Sequence, residues 1–406
     1  PPRLRQGTRC LCSMWSCSRF STVPRHRPCL RRQRAGHRLV PRRFRRGIRR
    51  CRRDIRLFRA PPRHQRLAKL KDTVGGGKRP PVQHHMTSVS PPLTRPRRIA
   101  LYLAGMFPPV AAIATMAGFI AWDFAVQSMG TSSTLRISWS TVVGALSLML
   151  FSLLMRIYDE LKDVEADLRL AREGDPRYVD RPIVTGAVTV ADLVLLRWFV
   201  TFLLVALNAP LGLPMPFAVF AGVLLFQWLT FKWFFLKELI SNNLLIAFAT
   251  HQPLVPILFV YLLAIVSSER PDLAFDSRHA LAALAFWFPM ASWEIGRKLR
   301  ARDEETSYDT YTKRLGTRVA PLVPAALLTA STAIVLVLIG SRLWVVGQIT
   351  LASFTAVVVF FFARFAVTAN RRHSNLRWAV EAYIGVTYFV LALDLAIGST
   401  LVFSFF

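Results

Sequence analysis

Residues 156–193 read RIYDELKDVEADLRLAREGDPRYVDRPIVTGAVTVADL and begin inside the end of an apolar run over 137–158. On a helix, side chains at i, i+4 and i+8 drift by only about 40° per step and stay on nearly one face. Asp159, Asp163 and Asp167 therefore present three carboxylates together. Like charges so placed repel unless a cation lies among them. Mg²⁺ suits the position, because it is a hard ion that takes one or two carboxylates and shares its other sites with substrate phosphates. Arg181 and Pro182, beginning fourteen residues beyond Asp167, add a guanidinium able to contact phosphate. The alternative is a solvated helix at a membrane boundary, since Lys162, Arg169 and Arg172 are interleaved with the acids. That reading accounts for the charge but not for the fourfold spacing of the aspartates.

Working outward, the chain of 406 residues is 53% hydrophobic and yet carries +30, and the two properties separate along its length. Residues 1–85 hold 26 Lys and Arg against two acids, Asp54 and Asp72, a net +24 that leaves only +6 for the other 321 residues. Rich in Arg and Pro and without hydrophobic periodicity, this first part is expected to be a disordered extension, since it offers too little apolar surface to offset the entropy of ordering. Met86 opens a plausible start, so residues 1–85 read first as an untranslated extension, second as an organellar transit peptide and third as a polybasic tail. All five cysteines lie there. The domain over 86–406 thus has no disulfide framework and no Cys-based metal site.

From residue 99 onward, apolar stretches near the ~20 residues needed to cross a bilayer recur with short polar breaks. Nine are readable: 99–127, 137–158, 191–208, 214–236, 239–266, 278–296, 319–340, 344–368 and 377–404, with a kink expected in the fifth at Pro253 and Pro256. Basic residues fill every second connection, from Arg95, Arg97 and Arg98 before the first span to Arg371, Arg372 and Arg377 after the eighth. The positive-inside rule then places the N-terminus in the cytoplasm and the C-terminus outside. The expected fold class is all-α, a polytopic membrane helix bundle of nine transmembrane helices with two polar cytoplasmic loops, about 159–190 and 297–318. Four spans separate those loops, which suggests two halves that each lend one loop to a shared cavity.

The run DxxxDxxxD followed by DRPIVTG and a new apolar stretch resembles the first signature of the UbiA superfamily of intramembrane prenyltransferases, with Asp159 where members usually carry Asn. The resemblance covers about residues 90–406. It implies a nine-helix bundle with two Asp-rich motifs after helices two and six. It also implies Mg²⁺-dependent transfer of a prenyl group from an isoprenyl diphosphate to an aromatic or other lipophilic acceptor within the bilayer. Asp159, Asp163 and Asp167 would hold the metal, and Arg181 would contact phosphate.

The second cluster, SWEIGRKLRARDEETSYDTYTKRLGTRVA over 292–320, departs from that pattern. Counting back from Leu315 and Gly316 places Thr310 and Asp303 at the motif's threonine and last acid, but the earlier acids would fall on Leu299 and Ile295. Glu294 is the nearest substitute, one residue out of register, and the cluster gains Arg297, Lys298, Arg300 and Arg302. Glu294, Arg297 and Lys298 share a helix face at i, i+3 and i+4. This half is thus expected to bind diphosphate through Glu294, Arg297, Arg300 and Asp303, with Lys298 beside the aspartates as a catalytic group; the bland reading is a set of topology signals. Within the spans, His251 faces a cavity or answers a backbone broken near Pro253.

Two other classes fit parts of the chain. A transporter or permease shares the helical architecture, though its carboxylates would sit at the midplane rather than at one face. A binding protein with a polybasic tail requires residues 1–85. The partners expected for the leading reading are an isoprenyl diphosphate, a lipophilic acceptor and the lipid bilayer, most simply a bacterial cell membrane, and no nucleic acid. Prenyl chain length, acceptor and oligomeric state are not written in the sequence.

Overall fold

A computed structural model describes residues 93–405 apart from 176, 177, 274 and 307. The extension expected over 1–85 lies outside the described residues. The chain forms an all-α bundle, and eight of its helical segments are long and apolar enough to cross a membrane. The expected span over 278–296 coincides with a 20-residue helix, Ser277–Gly296, which is not among those eight.

Local chemistry sets where the helices begin. The first expected span is two helices, α1 (Arg95–Met106) and α2 (Pro109–Ser128), because Pro108 and Pro109 remove two amide donors and push the preceding residue out of helical geometry. Helix α3 (Trp139–Arg172) starts at a capping box between Ser138 and Thr141 and runs for 34 residues, about 51 Å at 1.5 Å per residue. That exceeds the ~30 Å apolar thickness of a bilayer, so its acidic end projects. Thr189 and Asp192 cap α4 (Val190–Asn208) in the same reciprocal way, and Pro214 opens α5 (Pro214–Phe231). The short α6 (Lys237–Ser241) precedes a pair, α7 (Leu244–His251) and α8 (Leu254–Glu269), split at Pro253 as expected. There follow α9 (Ser277–Gly296), α10 (Tyr311–Val319), α11 (Leu322–Ile339), α12 (Val345–Thr368) and α13 (Arg377–Ile397).

The last apolar run does not stay helical to residue 404. After Gly398 it becomes a strand, β2 (Thr400–Ser404), paired in parallel with β1 (Thr134–Ser138) from Thr134↔Thr400 to Ser138↔Ser404. The pairing supplies backbone hydrogen bonds to a β-branched, Gly-led segment that a helix would not favour. It also gathers one face of the bundle. Arg136 donates to the Glu269 carbonyl at 2.9 Å, Arg270 to that of Thr134 at 3.2 Å and Arg342 to that of Gly130 at 3.0 Å. The ends of α2, α8, α11 and α13 therefore lie together. The two polar loops leave from the opposite ends of α3 and α9. Between the faces, buried polar side chains tie helices to one another: Tyr261 donates to Asn208 at 2.7 Å and Asn208 to Ser147 at 2.8 Å.

Candidate active site

The C-terminal third of α3 carries its charges in pairs. Lys162 lies 2.8 Å from Asp159, Arg156 pairs with Glu160 one turn on, and Arg181 returns from the following loop to pair with the buried Asp167. The return depends on the loop's shape: Thr185 N–H bonds to the Arg181 carbonyl at 2.9 Å, and Gly186 takes φ +73°, which a side chain would oppose. Arg181 also stacks over Tyr178 at 4.5 Å. Asp163, half-buried in the middle of the ladder, forms no hydrogen bond or ion pair among the described residues. The three aspartates thus have three different environments rather than one meeting point, and no three acids or histidines among the described residues close on a common position.

At the end of α9 the expected shared face is present. Glu294 accepts from Arg297 Nε at 2.6 Å and lies 2.8 Å from Lys298 Nζ. Enclosure by protein works against the charge of Arg297, yet the Glu294 carboxylate and then Tyr308 hold it above the usual arginine range. Lys298 is likewise raised: burial opposes its charge and Glu294 outweighs burial. Arg300 turns back, donating to the carbonyls of Arg297 at 3.0 Å and Leu299 at 2.6 Å, where it closes the helix end. Asp303 is exposed in the turn Arg302–Glu304. The acid that faces inward is Glu305, which accepts from Thr312 at 2.7 Å and Thr310 at 2.8 Å.

The two clusters meet. Asp159 and Arg297 act on each other's charge, and Arg156 feels Asp159, Arg181 and Arg297 at once. His251 is within reach of the charges of Lys162 and Asp159 from one cluster and Glu294 from the other. It is held from behind by a turn, Trp233–Phe234–Phe235, whose three residues take φ of 51°, 50° and 62°. Left-handed backbone at three side-chain-bearing residues costs on the order of 1 kcal/mol or more each. The turn sets Trp233 edge-on to His251 at 5.3 Å and under Lys162 Nζ at 4.8 Å. Of nine buried side-chain polar atoms without a partner among the described residues, five lie around this point: Tyr102 Oη, Arg156 Nε, Glu160 Oε2, His251 Nε2 and Tyr311 Oη. Burial, then the charge of Glu294, pushes the Tyr311 hydroxyl up. Such clustering marks a place built for a polar ligand, since orphaned groups cost about 1–3 kcal/mol each.

Asp159 and Arg297 link the two ends; Asp163, Asp167 and Arg181 stand along the first and Glu294 and Lys298 at the second, while Arg300 and Asp303 are left at the margin. Sequence reasoning passed over Arg156, Trp233 and Tyr311. Arg156 was findable as a charge inside the apolar run over 137–158; the other two depend on tertiary placement and had no signal. The donor set suits a divalent ion shared with phosphates, because Asp163 is unpaired and a second carboxylate lies one turn away on either side.

No family model and no curated relative matches the chain. Two solved structures are similar to it in fold. One is a digeranylgeranylglyceryl phosphate synthase, 11% identical, with a TM-score of 0.49 over 73% of this chain and 98% of that one. The other is a UbiA homolog from Aeropyrum pernix K1, 17% identical, with a TM-score of 0.48 over 67% of this chain and 97% of that one.

Proposed function

We propose that this chain is a UbiA-type prenyltransferase that moves an isoprenyl group from its diphosphate to an aromatic or other lipophilic acceptor in the membrane. The observation that carries the reading is the apposition of a carboxylate ladder with a free central Asp163 and a cluster of cations, Arg156, Arg181, Arg297 and Lys298, at one end of an apolar bundle. The allylic carbon–oxygen bond breaks with its electron pair leaving on diphosphate. The acceptor's electron pair then forms the new carbon–carbon or carbon–heteroatom bond and its proton departs. Negative charge grows on the leaving group, and preorganised Arg and Lys donors in a water-poor site are the kind of group that stabilises it. Asp163, with Asp159 or Asp167, would hold Mg²⁺, which when bound supplies charge neutralisation to the departing diphosphate. Glu294 keeps Arg297 and Lys298 aimed, and Arg300 fixes the end of the helix that presents them. The apolar helices would take the prenyl tail and keep water from the allylic cation.

The test is diphosphate release from a labelled prenyl diphosphate by the purified full chain, with and without Mg²⁺, over several chain lengths and acceptors. Release that requires Mg²⁺ and disappears in Asp163→Ala supports the assignment. No release from any donor and acceptor pair would favour transport or binding instead.

A further inference from the structure

Between α4 and α5 runs a groove of about 620 Å³ with walls on the outer surface of the bundle. Trp198, Leu225 and Trp228 line it and are exposed, and Phe220 and Tyr158 form its buried floor. From Phe217 to Lys232 it follows about 22 Å of helix. That length exceeds one bilayer leaflet of ~15 Å, half the apolar thickness. Two cations stand at one end, Arg197 and Lys232. Arg197 lies two turns inside α4, a membrane span, with its guanidinium 4.8 Å over Trp198 and 5.6 Å over Phe231. Lys232 Nζ lies 5.2 Å over the same Phe231 ring. Neither cation has an acidic partner among the described residues.

An arginine within a span is costly unless a counter-charge meets it, and ring faces return only about 0.5–2 kcal/mol. The described residues supply no anion there. We propose that the groove is a binding site for an anionic phospholipid: its phosphate is held between the Arg197 guanidinium and the Lys232 ammonium, and one acyl chain lies along Leu224, Leu225 and Phe217. Arg offers a planar fork to phosphate and Lys a mobile point charge. A net negative headgroup complements the pair, whereas a zwitterionic one brings its own cation to the same place. Neither cation belongs to the charged clusters at the ends of α3 and α9.

The experiment is native mass spectrometry of the full chain in detergent with phosphatidylglycerol or phosphatidylcholine added, followed by stepwise activation. One phosphatidylglycerol is expected to stay bound where phosphatidylcholine dissociates. Two variants should each lower its retention by about tenfold or more: the double change Arg197→Gln with Lys232→Gln, and Ala221→Trp, which fills the groove and leaves both charges. Thermal melting in lipid-free detergent checks that each variant folds, and if one does not, the other decides. Equal retention of phosphatidylcholine, or full retention in either folded variant, overturns the proposal. Displacement by millimolar inorganic diphosphate would also overturn it, by making the cations a phosphate subsite without a lipid.

Discussion

The ends of α3 and α9 are built in opposite senses. At α3, acids lead and cations answer them: Lys162 on Asp159, Arg156 on Glu160, Arg181 on Asp167, with Asp163 left over. At α9 a single acid, Glu294, holds two cations that outnumber it. A pair of matched Asp-rich ends would bind ions on both sides of a diphosphate. On the proposed function, one end would take an ion and the other would contact phosphate oxygens directly, so each half should fail differently when changed.

The largest effect is expected at Asp163, the ladder carboxylate without a partner among the described residues. Asp163→Ala should cut diphosphate release by about 10²–10³-fold, and Asp163→Asn by a similar factor, with no change in melting temperature greater than a few degrees. Release assays at saturating Mg²⁺ read the rate, and near-normal release in both variants would remove Asp163 from the site. The α9 end should be weaker and should show in affinity. Lys298→Ala is expected to raise the Kd for a prenyl thiodiphosphate by roughly 10- to 100-fold, as for loss of a charge-assisted contact. An unchanged Kd would reduce Lys298 to a topology signal.

Glu294→Gln separates the two ends by pH. Lys298 is raised in the folded protein, so its charge and the stability that goes with it are fully present below the ordinary lysine value. Both are lost only as pH rises through its higher folded value. Wild-type affinity should therefore be flat between about pH 7 and 9 as far as Lys298 is concerned. Without Glu294 the main raising influence goes, and burial and the Arg297 charge outweigh what Tyr308 still adds, so Lys298 should fall below its ordinary value. Affinity for the thiodiphosphate should then weaken as pH rises through that window. A profile as flat as wild type would mean that Glu294 does not set the charge of Lys298.

The bundle was legible because its signals are repetitive: apolar runs of membrane length, and basic residues in alternate connections. The breaks in that reading have local causes. Pro108 and Pro109 divide the first run, and the Gly-led, β-branched tail after Ile397 pairs as a strand with a segment far away in the chain. The α3 half of the candidate site could be named from the sequence because a fourfold spacing needs no tertiary knowledge, whereas the separate partners of Asp159 and Asp167 could not. Trp233 and Tyr311 were not legible, since a left-handed turn and a buried hydroxyl gain meaning only from what packs beside them.

Asp303 is the smallest and sharpest case. Counting residues from Leu315 and Gly316 selects it, because a motif is read as a register along the chain. In space the turn Arg302–Glu304 points it to solvent, and Glu305 receives the hydroxyls of Thr310 and Thr312 that begin α10. Asp303→Asn should therefore leave diphosphate release within about twofold, as for a surface change worth no more than ~0.5 kcal/mol. Glu305→Gln should instead lower the melting temperature, because it weakens two buried hydroxyl contacts worth about 1 kcal/mol each. If the order is reversed, with Asp303→Asn costing tenfold in release at unchanged stability, the α9 end carries an ion-binding acid after all. The two ends would then be more alike than their charges suggest.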